Sequence, residues 1–197
     1  DREVELDIDN EYIMSPKDLK TIHFLNKVLD AGVSILKIEG RARSAEYVKT
    51  VTGTYNEAIN AYVEGTFDAG KIEAWDKRLA GVFNRGFWDG YYLGQRLGEW
   101  SETYGSEASF RKVYVGKGSN YFSRIGVAEV AIETGELKLG DQILIIGPTT
   151  GVIETTVKEL RVDEINCEIA RKGERCSFPV EEEVRRSDKV YKLVPRD

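Results

Sequence analysis

The segment "GVSILKIEGRARSAEYV", Gly32 to Val48, places an apolar run directly before a charged turn and a second periodic stretch. Its first part, "VSILKI" at residues 33–38, is rich in branched apolar side chains and predicts a strand. Ser44 stands where a helix N-cap is expected, and apolar residues recur at helical spacing from there to about Glu64. The segment therefore predicts a strand that leads through a short polar turn into a helix.

The residues before this segment repeat the same order. "EYIMS", Glu11 to Ser15, predicts a short strand, and "SPKD" predicts a helix start with Ser15 as N-cap and Pro16 in the first turn. Gly32 suits the left-handed position after that helix. Alternating strands and helices are typical of parallel βαβ units. Two strands do not complete such a sheet, so we expect further strands in an upstream region of a longer protein, or self-association with a second copy.

The rest of the chain changes its pattern near Ser109. A third helix is predicted from about Lys71 to Leu79, and "FNRGFWDGYYLG" at residues 83–94 is predicted to be an ordered loop. After the polar linker "SETYGSEAS" at residues 101–109, short strand-like runs alternate with turn signals. We predict an α+β chain of two domains: residues 1–109, and a small antiparallel β-barrel at residues 110–197.

Composition limits the partners and the compartment. The net charge of -6 and pI near 5.1 argue against general coating of nucleic acid or anionic membrane, so any RNA contact requires a local basic patch. Cys167 and Cys176 are too few for a four-ligand metal site and are expected to be free thiols. No apolar run approaches the roughly 18 residues that a membrane span requires. We expect a cytoplasmic protein without a membrane partner.

The charged end of the opening segment is the first candidate site. Lys37, Glu39 and Arg41 alternate around the end of the predicted strand, and Gly40 would let the backbone turn. The ends of parallel strands commonly carry function, and these cations suit an anionic ligand with Glu39 as an orienting group. A salt-bridged rim that closes the fold would use the same residues, and spacing alone does not choose between the two.

A second candidate is the aromatic loop, in which Arg85 and Gly86 stand among phenylalanine, tryptophan and tyrosine residues. An arginine beside exposed aromatic rings can stack on a base or hold a phosphate. Buried, the same rings would simply fasten the loop to its neighbours.

A third candidate begins the second half. The stretch "FRKVYVGKGSNYFSRIG" at residues 110–126 interleaves basic and aromatic side chains and favours RNA contact through phosphate neutralisation and stacking. Solvated strand ends with core tyrosines would give the same pattern. The candidate RNA-binding residues are Arg111, Lys112, Lys117, Tyr121 and Arg124.

Hydrolytic chemistry has little support in the residues alone. His23 is the single histidine, and we expect it to have a packing or surface role within a helix. Without a second histidine, neither a metalloprotease helix nor a convincing Ser/His/Asp or Cys/His set can be assembled.

Over most of the first half, "SPKDL", "LDAGVSILKIEGRARSAEYVKTVTGTYNEAI" and "FNRGFWDGY" resemble the collagenase-like peptidase family, U32. The second half resembles the C-terminal barrel of longer members, and "GELKLGDQILIIG" is also similar to the second domain of translation elongation factors. The resemblance implies that residues 1–109 are the end of a TIM-like barrel with added helices. It also implies site roles for Glu39, Gly40 and Arg41, with Lys37, Arg85 and Gly86 as substrate contacts.

The resemblance further implies an enzyme in the full-length protein. Members of the family hydroxylate tRNA, ribosomal RNA or a quinone precursor, and the family name implies peptide hydrolysis. Many relatives hold an iron-sulfur cluster with cysteines upstream of the segment that matches "SPKDL", so we expect no cofactor or metal in these residues. RNA modification with the barrel as a docking module is the preferred interpretation, and peptidase or non-catalytic scaffold are the alternatives. A fragment without the upstream region is expected to be inactive alone.

Overall fold

The protein is seen in a computed structural model that describes residues 16–101 and 105–196. The chain separates into two compact units, the first ending at Ser109 and the second beginning at Phe110. Together they form a mixed α/β structure in which most strand pairs are antiparallel. None of the helices in the described ranges is both long enough and apolar enough to cross a membrane.

The first unit combines helices with one short parallel strand pair. Its elements are β1 (Asp18–Leu19), a 3₁₀ turn (Ile22–Phe24), α1 (Leu25–Asp30), α2 (Ala45–Val63), α3 (Ala69–Ala80) and β2 (Phe87–Trp88). Ser44 occupies the N-cap position of α2, as predicted, although its side chain makes no capping bond. Asp68 caps α3 by accepting a hydrogen bond of 2.9 Å from the Lys71 backbone N–H.

The core of this unit lies between the helices. Apolar residues at helical spacing on α2 and α3 pack against the turn before α1, which explains why these segments are helical. The buried members are Ile22, Leu25, Val51, Ala58, Ala61, Trp75 and Leu79.

Two local predictions for this unit were wrong, and the predicted aromatic loop is a loop apart from residues 87–88. The first helix does not start at Pro16, because Asp18 and Leu19 pair with Phe87 and Trp88; helical structure begins at Ile22, and residues 11–15 lie outside the described ranges. The same pairing gives residues 87–88 of the aromatic loop a strand conformation. Residues 33–38 form no regular strand, since no described strand takes up their backbone hydrogen bonds, and Ile35 is 86% exposed.

The second unit is built almost entirely from antiparallel strands. They are β3 (Phe110–Phe122), β4 (Val127–Ile132), β5 (Glu136–Lys138), β6 (Gln142–Gly147), β7 (Gly151–Thr156), β8 (Arg161–Val162), β9 (Ile165–Asn166), β10 (Ile169–Arg171), β11 (Arg175–Pro179) and β12 (Lys189–Pro195). Eight of these form one sheet in the order β7-β6-β12-β3-β4-β11-β8-β9, and β5 pairs with β10.

One apolar core serves this whole unit. Fully buried side chains from strands far apart in the sheet, such as Ile153 on β7 and Phe178 on β11, belong to the same cluster. The sheet must therefore curve around the cluster, since a flat sheet would keep these strands apart. Cys176 is part of this core and Cys167 packs against it, and both cysteines are free, as predicted. Burial raises the pKa of the Cys176 thiol to about 12.

Candidate functional site

Asp18 joins three segments that are distant in the sequence. Its Oδ1 atom lies 2.5 Å from Nη2 of Arg43, in the turn after "KIEGR". Its Oδ2 atom accepts a hydrogen bond of 3.0 Å from the backbone N–H of Arg85, in the aromatic loop. Asp18 itself follows "SPK", so the three segments that carry the family resemblance meet at this carboxylate.

The Arg43 guanidinium is enclosed by two aromatic rings and the Asp18 carboxylate. Its guanidinium lies 4.9 Å from the ring centre of Tyr47 and 4.7 Å from that of Phe83, within the range of cation–π attraction. Only 13% of its side chain and 15% of that of Asp18 are exposed. Burial raises the pKa of the Tyr47 phenol, which the charge of Arg43 partly opposes. Arg43 therefore fixes the turn after the signature to the body of the unit.

The turn itself places its left-handed residue at a position that we did not predict. The Gly40 carbonyl accepts a hydrogen bond of 3.0 Å from the Arg43 N–H, and Ala42 adopts a φ of 57°. Gly40 has no positive φ; instead, an added Cβ there would lie 3.1 Å from Cγ2 of Val48. Gly40 therefore lets the chain turn through the absence of a side chain, which the packing against α2 requires, and not through a left-handed backbone angle.

The three charged residues of the signature all face solvent. Lys37, Glu39 and Arg41 are exposed, and Glu39 Oε1 accepts a hydrogen bond of 2.8 Å from the Arg41 backbone N–H. This bond fixes the carboxylate at the start of the turn while the Arg41 side chain projects outward. The arrangement is not the closed, salt-bridged rim that the alternative interpretation requires, because the ends of these side chains are accessible.

Arg85 is supported by a tightly bonded loop. The amide of buried Asn84 donates to the Val82 carbonyl at 2.9 Å and accepts from the Gly86 N–H at 3.1 Å. Gly86 has a φ of 77°, and its carbonyl accepts from the Asp18 N–H at 2.9 Å. The backbone around Arg85 is therefore fixed on both sides, which favours a defined position for its side chain.

Sequence reasoning missed Asp18 and Arg43, the two residues that bring the candidate segments together. From the sequence, Asp18 is predicted only as part of a helix start, and Arg43 has no predicted role. The one available signal is that Asp18, Arg43 and Arg85 all stand in segments that resemble the family. Nothing local in the sequence indicates that these segments meet.

On the second unit, a single carboxylate holds two residues of the predicted RNA-binding stretch. Glu133 receives an ion pair from Lys117 Nζ at 2.7 Å and a hydrogen bond from the Tyr114 hydroxyl at 2.5 Å. The bond to Glu133 raises the pKa of Tyr114 to about 12. Hydrogen bonds from Lys117 and Tyr114 lower the pKa of Glu133. Lys117 keeps 49% of its side chain exposed despite this pairing.

The other candidates on this unit differ in their surroundings. Arg111 and Arg124 are exposed, and Arg124 lies in the turn that joins β3 to β4. Lys112 is exposed with its Nζ 5.1 Å from the ring centre of Tyr191. The Tyr121 hydroxyl donates to the Val180 carbonyl at 3.0 Å, and its ring packs partly against the core. Arg111 and Lys112 thus lie near the start of β3 and Arg124 lies just after its end, and Tyr121 is more enclosed than a free stacking platform.

Two further observations concern hydrolysis and metals. His23 lies in the 3₁₀ turn rather than in a regular helix. Its Nε2 atom lies 3.1 Å from Oδ1 of Asp89, and its ring meets the Phe24 ring edge to face. Within residues 16–101 and 105–196, no cluster of histidine, cysteine and carboxylate side chains is suited to a metal ion.

Comparison with known proteins then identifies relatives. Residues 1–102 match the family described as Peptidase family U32. The chain is 62% identical over 197 residues to a protein of Porphyromonas gingivalis named collagenase, covering 100% of this chain and 48% of that protein. It is 30% identical over 152 residues to tRNA hydroxylation protein P of Escherichia coli, covering 76% of this chain and 32% of that protein. The chain spans about half the length of the collagenases it matches.

A solved structure also resembles part of the chain. It is the C-terminal domain of a Geobacillus thermoleovorans protein assigned to the U32 peptidases, with 17% identity and a TM-score of 0.39. The match covers 41% of this chain and 91% of that domain. A likeness at this level is too distant to bear on activity.

Proposed function

The chain belongs to peptidase family U32, and from this premise we propose that it is part of an RNA-modifying enzyme that hydroxylates a uridine of tRNA in the cytoplasm. In this proposal residues 110–197 dock the RNA as a small barrel. The exposed signature turn and the Arg85 loop line the reaction site. The observation that carries the proposal is that four cations are exposed along β3 and just after it, because phosphate contacts provide most of the affinity of RNA-binding surfaces.

The distribution of charge between the units supports the docking role. Residues 110–197 contain 15 basic and 15 acidic residues, whereas residues 1–109 contain 13 basic and 19 acidic residues. The second unit therefore carries no net charge and does not repel a polyanion, although the chain as a whole is acidic.

Within the second unit, Arg111, Lys112 and Arg124 are proposed as phosphate contacts. Lys117 is included although it pairs with Glu133. An ion pair at the surface contributes little to stability, so a phosphate can take the place of the Glu133 carboxylate beside Lys117. Tyr121, which is half-buried, is proposed to lie at the edge of the same RNA-binding surface.

In the first unit, Glu39 and Arg41 are proposed to act on the substrate. Both residues are exposed, and the Glu39 carboxylate is held by the hydrogen bond that it accepts from the Arg41 backbone N–H. Lys37, Gly40, Arg85 and Gly86 are proposed to bind the substrate around them. The exposed apolar side chains of residues 33–36 support the proposal that this unit is the end of a TIM-like barrel, since neighbouring strands would cover them.

An iron-sulfur cluster in the full-length protein remains part of the proposal, with ligands outside this chain. Cys167 and Cys176 do not fit the role. Two thiols are fewer than the four that such clusters require, and the raised pKa of Cys176 keeps it protonated.

Peptide hydrolysis is the second candidate. It is favoured by the high identity to proteins named collagenase, which exceeds the identity to the tRNA hydroxylation proteins. In this case the exposed Glu39 and Arg41 would contact a peptide.

The test compares modified nucleosides by mass spectrometry in tRNA from cells with and without the full-length gene. The proposal expects a hydroxylated uridine that disappears with the gene and is not restored by a Glu39→Ala variant. A gelatin cleavage assay on the same purified proteins tests the second candidate. Unchanged tRNA together with gelatin cleavage that depends on Glu39 would reject RNA modification in favour of hydrolysis.

A binding measurement tests the docking surface separately. We expect the Arg111→Ala/Arg124→Ala variant of the full-length protein to bind tRNA more weakly. The slope of the logarithm of its affinity against the logarithm of the salt concentration should become shallower by about one unit per lost contact. The matched control is Arg171→Ala/Lys172→Ala, which removes two exposed cations at and just after β10. Equal losses in the two variants would contradict a role for the β3 surface.

A further inference from the structure

Three aromatic side chains are exposed together in the first unit, and we call them the aromatic platform: Tyr91, Tyr92 and Trp100. Tyr91 and Tyr92 are 63% and 65% exposed, and Trp100 is exposed as well. A Cβ added at Gly98 would lie 3.4 Å from the Trp100 ring and 3.5 Å from the Tyr91 hydroxyl, so both side chains lie against a residue that has none. Large rings gathered at the surface of one segment are typical of a binding site.

Each of the two tyrosines is held in place by a second ring. The Tyr91 ring meets the Trp88 ring at an angle of 82°, with the ring centres 5.2 Å apart. The Tyr92 ring centre lies 6.0 Å from that of Phe24, which is buried. The backbone between them turns tightly, because the Gly94 N–H donates to the Tyr91 carbonyl at 3.3 Å. Rings that are already fixed lose little freedom when a ligand binds.

The charged residues of the same segment favour an anionic ligand. The Glu99 carboxylate pairs with Lys17 at 2.9 Å, and Oδ1 of Asp89 lies 3.1 Å from Nε2 of His23. Arg96, by contrast, is exposed and makes no ion pair within the part of the chain that the structure describes. The segment therefore offers an accessible cation together with its rings, while its carboxylates are engaged.

This combination is the one by which proteins hold unpaired nucleic acid, because rings stack on bases while cations meet the phosphates. Leu93 and Leu97 are exposed in the same segment and would equally suit an apolar protein surface. The rings and the free cation favour RNA, and a protein partner is the alternative outcome of the test.

We propose that the aromatic platform stacks on an unpaired nucleobase of the RNA substrate, with Arg96 contacting a neighbouring phosphate. Every base presents a flat π face, so such a platform holds RNA without selecting a sequence. The inference rests on the proposed function. It adds the residues of the first unit that hold the RNA and the kind of contact they make.

The experiment titrates the full-length protein with a fluorescent oligouridylate of about eight nucleotides and with an abasic oligomer of the same length. The abasic oligomer keeps the phosphates but has no bases, so we expect it to bind more weakly by about tenfold or more. Tyr91→Ala should weaken oligouridylate binding by about tenfold and leave binding of the abasic oligomer unchanged. Tyr91→Phe keeps the ring and should bind oligouridylate as the unmodified protein does. The matched control, Leu97→Ala, removes an exposed side chain of the same segment that has no ring and should also bind normally.

The salt dependence of binding separates stacking from phosphate contact. A ring neutralises no phosphate, so the factor lost in Tyr91→Ala should be the same at low and at high salt. Arg96→Ala should instead make the slope of the logarithm of the affinity against the logarithm of the salt concentration shallower by about 0.7 unit.

Three results would overturn the inference: equal affinities for the two oligomers, an unchanged oligouridylate affinity in Tyr91→Ala, or equal losses in Tyr91→Ala and Leu97→Ala. The second result would leave the exposed rings and leucines to a protein partner. If Tyr91→Ala does not fold, as judged by circular dichroism, Tyr92→Ala takes its place with the same expectation. The comparison of the two oligomers needs no variant and decides if neither protein folds.

The outcome is separable from that of the proposed function, because oligomer binding is measured without any modification reaction. Binding that depends on the Tyr91 ring in a protein whose deletion leaves tRNA unchanged would reject RNA modification and keep the nucleobase site. Loss of a hydroxylated uridine on deletion, with oligouridylate binding that does not depend on the ring, would do the reverse.

Discussion

Asp18 shows how one side chain organises the first unit. Its carboxylate satisfies Arg43 across 25 residues of sequence and the Arg85 backbone across 67. Because both Asp18 and Arg43 are largely shielded from solvent, each needs the other to offset the loss of hydration.

We expect Asp18→Ala to lower the free energy of unfolding of the first unit by about 2–4 kcal/mol, because it leaves the Arg43 charge shielded and unpaired. All three tryptophans, Trp75, Trp88 and Trp100, lie in this unit, so their fluorescence follows its unfolding in urea. The control is Glu73→Ala, which breaks an exposed pair with Lys77 and should change the stability very little, because water screens such a pair. Similar losses in the two variants would mean that the Asp18 network adds little stability.

Ala42 carries backbone strain that a smaller residue would relieve. Its φ of 57° lies in the left-handed region, which disfavours side chains with a Cβ. We expect Ala42→Gly to raise the free energy of unfolding by about 0.5–1 kcal/mol. In Ala74→Gly, within the regular helix α3, the same exchange should instead lower it by about 1 kcal/mol. A destabilised Ala42→Gly protein would show that the turn is not strained.

At the scale of elements, the contact of Tyr114 with Glu133 ties β3 to the end of β4. Tyr114 has a folded pKa of about 12 against an ordinary 10.0. The protonated phenol is therefore favoured by folding, and its contribution to stability is complete below about pH 10 and is lost as the pH rises through 12. Removing the carboxylate should abolish this dependence.

We accordingly expect Glu133→Ala to lower the pKa of Tyr114 toward 10, as measured by NMR on tyrosine labelled with carbon-13 at Cζ. A Tyr114→Phe protein assigns the resonance. A Tyr114 pKa that stays near 12 without Glu133 would contradict the assignment of the shift to this hydrogen bond.

Elements whose formation depends on local spacing could be predicted from the sequence. α2 and α3 were anticipated within a few residues, since their apolar faces and N-cap positions are encoded in short segments. The pairing of Asp18–Leu19 with Phe87–Trp88 could not, because it joins segments far apart in the chain. Residues 33–38 have the composition of a strand, but a strand also needs a neighbour, and composition does not reveal whether one is present.

The candidate site was only partly predictable for the same reason. The signature turn and Arg85 were recognisable as charged residues in suggestive places. Their relation through Asp18 depends on tertiary structure, and so does the difference between enclosed Arg43 and exposed Arg85.

At the scale of the molecule, the two units differ in how completely each encloses its own core. The second unit surrounds one apolar cluster with strands drawn only from residues 110–197. Among the described residues, the first unit leaves twelve large apolar residues exposed, including Ile35 and Leu97, and the second leaves five. A domain with a complete core is expected to fold without its neighbour.

We therefore expect residues 110–197, expressed alone, to fold and to unfold in one cooperative transition. Dispersed amide resonances and a single step in urea would support this. Val130→Asp, which buries a charge in the core of the same fragment, should abolish the transition. Poor dispersion in the unmodified fragment would show that the second unit requires the rest of the protein.

The two cysteines give that fragment a practical property. A thiol reacts with maleimides as the thiolate, so the buried Cys176, with its pKa near 12, is expected to remain unmodified while the fragment is folded. Cys167 is partly exposed and lies just after β9, away from the proposed cations of β3 in sequence. A fluorophore could thus be attached at one native position without mutagenesis, and its polarisation would report RNA binding by the unmodified surface.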